Sequence, residues 1–185
     1  VKKEENYKLS VEPKNYTKAG IETNITNPRL IAQKQPGLYS VYVHPVGGQI
    51  KLSDLKVIIS TLEKFDNPEI RLTMTEGMYF RNLNGKEAEE LLDVTKSMGG
   101  TTSFDYSVAC IGVPTCQIGI CESQGALRET LNYVKENVSN IDLLPRLYFS
   151  GCPNSCGVHE IAEIGFTGKK KRINDVIEEA YEIHI

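Results

Sequence analysis

Near the end of this chain stands its most informative stretch, Ser150-Gly151-Cys152-Pro153-Asn154-Ser155-Cys156-Gly157. The residues directly before it, 147–149, are Leu-Tyr-Phe, which predicts a short buried strand that delivers Cys152 at its end. An earlier loop carries a second pair, Cys110-x5-Cys116, with Gly112 and Pro114 between the two cysteines. A chain with enough ordinary core does not need clustered thiols, so these two pairs indicate a bound metal or cluster.

The composition sets the broad class of protein. The chain has 185 residues, 40% of them hydrophobic and 24% charged, with a net charge of −3. This predicts one domain or two small ones with a real core, and it gives no sign of a nucleic-acid or membrane partner. Five cysteines without a secretory signal favour metal binding in a reducing cytoplasm over disulfides. The chain starts without Met and ends abruptly, so we expect an excised fragment.

The first part of the chain predicts a ferredoxin-like half unit. Residues 1–36 are polar and contain several prolines, which indicates an extended arm or linker. Residues 37–100 then alternate strand, helix, strands and helix. The predicted strands are 38–44, 70–74 and 78–83. The first predicted helix begins after an N-cap at Ser53, and the second runs over 86–98.

Residues 101–185 predict an α/β cluster-binding domain, which we expect to be incomplete at its end. A helix should follow the first thiol loop, and strands are expected at 147–149 and 179–185. The fold class is therefore α+β: a ferredoxin-like half unit followed by this second domain.

Three states of the thiols are compatible with their spacing. Four cysteine thiolates can hold a cubane iron–sulfur cluster. Structural zinc sites favour shorter spacings of two to four residues, which the Cys152 pair fits loosely and which an alternative Cys116-x4-Cys121 pair also offers. Unliganded core cysteines are the third state. The spacing favours iron–sulfur, and Cys121 is predicted to be a buried thiol on the following helix.

The residues around the cysteines resemble the sirohaem-dependent nitrite/sulfite reductase family, in its C-terminal half. The resemblance covers residues 27–185 in order. The stretches that carry it are Val108-Ala109-Cys110-Ile111-Gly112-Val113-Pro114-Thr115-Cys116, Ser150 to Gly157 as quoted above, Ala162-Glu163-Ile164-Gly165-Phe166-Thr167-Gly168, and upstream Asn27-Pro28-Arg29-Leu30 and Glu69-Ile70-Arg71-Leu72-Thr73.

The resemblance implies two cofactors. A [4Fe–4S] cluster would be held by Cys110, Cys116, Cys152 and Cys156, and Cys156 would also bind the iron of sirohaem. The implied reaction is the six-electron reduction of nitrite to ammonia or of sulfite to sulfide. Asn154 matches a position that contacts sirohaem, although it could equally be an ordinary turn residue.

This chain also departs from the family. Members contain two such halves, and the first supplies the basic residues that bind the anion; here Arg71 could contact sirohaem, but a surface ion pair is favoured. The catalytic residues are therefore left unassigned, and we expect no activity from this chain alone. The implied partners are the missing N-terminal half, a small anion, and an electron donor such as ferredoxin or a flavoprotein. The basic run at 169–172 could dock such a donor, but a solvated loop is favoured.

The alternative function is a small iron–sulfur carrier or a zinc-stabilised interaction module without sirohaem.

Overall fold

The first of two sheets is antiparallel and carries two helices on one face. The computed structural model describes residues 18–185, and within them the strands of this sheet lie in the order β1-β2-β4-β3. The elements are β1 (Leu30–Ala32), β2 (Leu38–Val43), α1 (Leu52–Leu62), β3 (Glu69–Leu72), β4 (Met78–Asn84) and α2 (Gly85–Val94). This is the predicted strand-helix-strands-helix order, with the short β1 added in front.

The centre of this sheet is apolar because β2 is buried at every position. Its sequence, Leu-Tyr-Ser-Val-Tyr-Val, is rich in the β-branched and aromatic residues that suit a pleated surface. Side chains from β2 and β4 meet one side of each helix in a single cluster. The fully buried members of that cluster are Val41, Val43, Ile58, Phe80, Leu83, Ala88 and Leu91.

One of the two helices, α1, has a different N-cap from the predicted one. Ser53 was expected to cap α1, but the N-cap is Lys51, and the Ser53 hydroxyl instead contacts Asp54 at 3.3 Å. The helix α2 has a capping box: the Asn84 side chain accepts from the Glu87 N–H, and the Glu87 carboxylate accepts from the Asn84 N–H. This box satisfies two backbone donors that a helix start leaves unpaired.

The helix α2 ends at Val94, four residues before the predicted end at residue 98. The buried guanidinium of Arg29 lies against this end of the helix. It donates to the carbonyl oxygens of Leu92 at 3.0 Å and Thr95 at 3.1 Å, and to the Thr95 hydroxyl at 3.1 Å. A cation at a helix C-terminus pairs with carbonyls that have no partner within the helix, so Arg29 fixes where α2 stops.

The second sheet is mixed, and a helix connects its first two strands. Its strands lie in the order β5-β6-β7-β8; β5, β6 and β7 are parallel, and β8 runs antiparallel to β7. The elements are β5 (Val108–Ala109), α3 (Ser123–Asn137), β6 (Leu147–Ser150), β7 (Ile164–Ile173) and β8 (Val176–His184). The crossover β5-α3-β6 brings the ends of two neighbouring parallel strands to one edge.

The predicted α+β class is confirmed, and the last part of the chain is more regular than expected. The predicted strand at 179–185 is part of a long hairpin formed by β7 and β8. The basic run 169–172, expected as a loop, lies inside β7, where Lys170 pairs with Glu179 at 3.2 Å and Lys169 with Glu182. An acidic partner strand was not visible from the run itself.

The division into residues 1–36, 37–100 and 101–185 stays a prediction. Of the predicted arm, residues 1–17 lie outside the described part of the chain, while its end contributes β1 to the first sheet. None of the helices in residues 18–185 combines the length and the apolar composition needed to cross a bilayer.

Candidate functional site

Both thiol loops leave the carboxyl ends of neighbouring parallel strands. In the register of β5 and β6, Val108 lies opposite Tyr148 and Ala109 opposite Phe149. The next residue after β5 is Cys110, whose N–H donates to the Phe149 carbonyl at 2.9 Å. Cys152 follows β6 after one glycine. The carboxyl edge of a parallel sheet is where α/β proteins place their ligands, and it is where these two loops meet.

Gly151 joins the two loops. Its N–H donates to the Cys110 Sγ atom at 3.1 Å, and its carbonyl accepts from the N–H groups of Ile120 at 3.1 Å and Cys121 at 2.9 Å. A Cβ atom at Gly151 would stand 2.6 Å from the Cys121 carbonyl oxygen, so a larger residue would push the loops apart. The loops are therefore held in contact by backbone groups.

The four predicted ligands differ in exposure. Cys152 is buried, Cys110 and Cys116 are half-buried, and Cys156 is exposed; all are free thiols. The loop of Cys116 is closed by its N–H, which donates to the Gly112 carbonyl at 2.7 Å. Within residues 18–185, no three His, Cys, Asp or Glu side chains are grouped so that they could hold a metal ion. The structure thus brings the two loops together, but it does not gather the four thiols into a formed site.

Cys121 differs from the other four cysteines. It is fully buried, and its Sγ atom donates to the carbonyl oxygens of Lys169 at 3.4 Å and Ala180 at 3.7 Å, in the β7–β8 hairpin. Burial raises the pKa of this thiol, whereas metals bind the thiolate. The prediction that it lies on the following helix was wrong, because α3 begins two residues later at Ser123.

The two predicted sirohaem contacts lie in different places. Asn154 is exposed in the turn between Cys152 and Cys156, which is closed by the Gly157 N–H donating to the Ser150 Oγ atom at 3.0 Å. Arg71 lies on β3, where its guanidinium pairs with Glu69 at 2.6 Å. The described residues that line the cleft beside Cys110 do not include Arg71.

That cleft has a volume of about 350 Å³ and lies between the first sheet and the end of β5. Its wall includes two polar side chains, of buried Gln124 and half-buried Glu76. The Gln124 amide nitrogen donates to the carbonyls of Gly47 at 3.0 Å and Ala109 at 2.7 Å, and the Glu76 carboxylate accepts from the Ala109 N–H at 3.2 Å. The turn of Gly47 and Gly48 has positive φ at both residues. These contacts connect the first sheet to the thiol loop.

The sequence analysis did not single out Glu76 or Gln124. Gln124 falls within a helix whose apolar spacing drew attention to other positions. Glu76 has a positive φ in the turn before Gly77, and an acidic residue before glycine is an ordinary turn signal. Burial raises the pKa of the Glu76 carboxyl from its ordinary 4.5 to about 7, although the Ala109 N–H counteracts part of this effect. Only the structure shows that this turn faces the thiol loop.

We expect Glu76 to make stability depend on pH. The folded carboxyl holds its proton up to about pH 7, while the unfolded one loses it near 4.5, so the folded state binds more protons between these values. The free energy of unfolding should therefore fall as pH rises through this window. Relative to Glu76→Gln, the wild type should lose on the order of 1 kcal/mol between about pH 5 and about pH 8, because partial exposure reduces the full effect. Urea unfolding at both pH values measures it; parallel curves for the two proteins would contradict it.

Comparison with known proteins shows what the first part of the chain is similar to. Residues 31–98 match the family described as nitrite/sulfite reductase ferredoxin-like half domain. This range contains every strand and helix of the first sheet apart from the first residue of β1. Residues 31–98 therefore match a ferredoxin-like half domain of the nitrite/sulfite reductase type, as the sequence resemblance indicated.

Relatives are similar over more of the chain. The sulfite reductase [NADPH] hemoprotein beta-component of Bacillus subtilis is 30% identical over 135 residues, which is 66% of this chain and 24% of the relative. The chloroplastic ferredoxin–nitrite reductase of Oryza sativa is 29% identical over 140 residues, which is 74% of this chain and 23% of that protein. The chain spans about a quarter of the length of these curated relatives.

The solved structure of the Mycobacterium tuberculosis NirA protein has a similar fold. It superposes with a TM-score of 0.72 and covers 84% of this chain and 32% of NirA, at 20% sequence identity. At this identity the likeness concerns the fold. The superposed share of the chain is larger than residues 31–98, so the shared fold also includes part of the chain outside the half domain.

Proposed function

We propose that this chain is the cofactor-binding part of a nitrite or sulfite reductase. In this proposal Cys110, Cys116, Cys152 and Cys156 hold a [4Fe–4S] cluster. The observation that carries it is the meeting of the two thiol loops at the carboxyl edge of β5 and β6. The names of the relatives, sulfite reductase and ferredoxin–nitrite reductase, support the reaction class.

The donor set suits an iron–sulfur cluster in its chemistry. Four thiols are supplied by two loops in contact, and a backbone N–H already points at one sulfur, from Gly151 to Cys110. Amide hydrogen bonds to cluster sulfurs are among the features that set the reduction potential of such clusters. The burial and raised pKa of Cys121 favour its exclusion from the set.

Sirohaem is the second proposed cofactor. When bound, it supplies the iron at which the anion is reduced, next to a source of single electrons. The exposed thiol of Cys156 would bind this iron in addition to the cluster, and the neighbouring Asn154 amide would donate to the macrocycle. The cleft beside Cys110, with Glu76 and Gln124 in its wall, provides a concave surface between the sheets. Arg71 is the weaker candidate for a sirohaem contact, because its guanidinium is paired with Glu69.

The reaction requires partners besides this chain. We propose that a second half domain supplies the basic residues for a small anion, nitrite or sulfite. A ferredoxin or a flavoprotein would deliver the electrons, in line with the names of the ferredoxin- and NADPH-dependent relatives. The chain alone is then expected to bind cofactor without turning over substrate.

Metal analysis of the chain tests this proposal. After anaerobic reconstitution with iron and sulfide, we expect about four irons and four acid-labile sulfides per chain. Reduction with dithionite should give the EPR signal of a reduced cubane cluster. Zinc without sulfide would instead indicate the zinc-stabilised interaction module. A cluster that does not combine with added sirohaem would instead indicate the small iron–sulfur electron carrier.

A further inference from the structure

A buried hydroxyl lies against the first of the four proposed cluster ligands. Ser123 is 0% exposed and is the first residue of α3. Its Oγ atom lies 3.2 Å from the Cys110 Sγ atom and donates to the Cys110 carbonyl at 2.7 Å. One side chain therefore contacts both the sulfur and the carbonyl of a cysteine that stands 13 residues earlier in the chain.

The hydroxyl of Ser123 is not used to cap the helix. Serine at a helix start usually binds backbone N–H groups that the first turn leaves unpaired. Here the N-cap is Glu122, whose side chain makes no capping bond. Within residues 18–185, both hydrogen bonds of the Ser123 hydroxyl go to Cys110. Helix capping therefore does not explain why a serine stands at this buried position.

Glycines in the two thiol loops leave room for this hydroxyl. Gly112, between Cys110 and Cys116, has a φ of +56°, and a Cβ atom there would stand 2.4 Å from the Ser123 Oγ atom. A Cβ atom at Gly151 would lie 3.4 Å from the same oxygen. Both loops thus close around one buried oxygen next to the sulfur of Cys110.

The Cys110 sulfur has two groups within hydrogen-bond distance. The Gly151 N–H donates to it at 3.1 Å, and the Ser123 hydroxyl lies at 3.2 Å. A free thiol carries a proton of its own, so either the sulfur or the oxygen can be the donor in the second contact. A metal-bound thiolate has no proton, and of these two atoms only the serine oxygen can then donate.

The Cys110 carbonyl can release the hydroxyl proton because it has a second donor. The amide nitrogen of Gln124 lies 3.3 Å from this carbonyl and donates to it. Rotation of the Ser123 O–H group alone moves its hydrogen from the carbonyl to the sulfur, since both acceptors lie within 3.2 Å of the oxygen. Hydrogen bonds to charged acceptors are stronger than those to neutral ones. We therefore expect the hydroxyl to turn towards a Cys110 thiolate.

We propose that Ser123 is a positioning residue for the cluster: its hydroxyl donates to the Cys110 thiolate and raises the reduction potential. This inference rests on the proposed function. Reduction adds one electron, and the resulting negative charge is shared with the ligand sulfurs. The serine keeps its proton, so no proton transfer accompanies the electron. A buried donor beside the sulfur stabilises the more negative state, because hydrogen bonds to the sulfurs help to set the potential of such clusters.

Ser123→Ala tests this role in the reconstituted 185-residue chain. The variant removes the hydroxyl but no proposed ligand, so about four irons per chain should remain. During titration with dithionite, EPR measures the ratio of reduced to oxidised cluster at each potential. At a fixed potential this ratio should fall about tenfold relative to the wild type, which is ~59 mV for a one-electron couple.

Ser107→Ala is the matched control. Ser107 is also 0% exposed; its hydroxyl donates to the Phe104 carbonyl at 2.6 Å and accepts from the Leu147 N–H at 2.9 Å. The substitution removes a buried hydroxyl beside the same sheet, but one that is bonded to backbone groups instead of a thiol. We expect the ratio of reduced to oxidised cluster to stay within about twofold of the wild type.

The possible failures are distinguishable. Equal potentials of the wild type and Ser123→Ala would overturn the role of Ser123 and leave the proposed function intact. The same holds for an equal shift in Ser107→Ala, and for loss of iron from Ser123→Ala, which would show a structural role. A wild-type chain that takes up no iron and sulfide would overturn the proposed function and this inference together, and metal analysis reveals that before any potential is measured.

Discussion

Cys156→Ser is expected to reduce the iron of the reconstituted chain from about four atoms to fewer than one. Serine provides a hydroxyl that stays protonated, whereas a cluster ligand must be a thiolate. Cys156 is exposed, so its loss removes no packing and leaves the fold intact. A fall in iron would then report the missing ligand. Iron and sulfide analysis measures it, and the absorption of added sirohaem should be lost in the same variant.

Cys121→Ser is the control for this prediction. It also removes one thiol, but from a buried position where the Sγ atom donates to Lys169 and Ala180 carbonyls. A hydroxyl offers one donor, as the thiol does, and can donate to either carbonyl, so we expect the variant to keep about four irons, as the wild type would. The reverse outcome, iron kept by Cys156→Ser and lost by Cys121→Ser, would show that Cys121 belongs to the ligand set.

Arg29→Met should lower the free energy of unfolding by about 3 kcal/mol, the largest effect we expect on stability. Methionine keeps the length and apolar stem of the side chain but removes the guanidinium. The carbonyls of Leu92 and Thr95 then lose their charged donor at a site where Arg29 is only 3% exposed. Arg29→Lys should recover little, because an ammonium cannot reproduce the fork that reaches both carbonyls.

Arg128→Met is the matched control. Arg128 is half exposed and lies 3.9 Å from Glu122, a surface pair expected to contribute less than about 1 kcal/mol. Urea denaturation of the two variants separates a buried helix-end contact from the general loss of an arginine. Equal effects of the two substitutions would mean that Arg29 does not stabilise the end of α2.

The elements predicted best are those whose signal lies within one segment. The buried β2 and the helix α3 both follow from local composition and apolar spacing. The misplaced features depend on distant partners. The end of α2 is set by Arg29, more than sixty residues earlier in the chain, and the basic run in β7 is ordered by glutamates from β8. At the start of α1, Ser53 had the right chemistry for a cap but stands two residues after the true N-cap.

The candidate site divides in the same way. The four cysteines and Asn154 were identifiable because motif and spacing are properties of the sequence. The contacts around Glu76 and Gln124 were not, since a turn in the first sheet meets the end of β5 only after folding. The roles assigned to the four cysteines, Asn154 and Arg71 stay predictions until metal is measured.

The backbone bonds at Gly151 have a consequence for the order of events in the cell. During translation, Cys110 and Cys116 leave the ribosome well before Cys152, because the whole of α3 lies between them in the sequence. The two pairs become neighbours only when β6 docks beside β5, and main-chain hydrogen bonds contribute to that docking. On the proposed function, iron and sulfide would therefore enter a chain whose two thiol loops are already in contact, and Cys156 is the most exposed of the four proposed ligands.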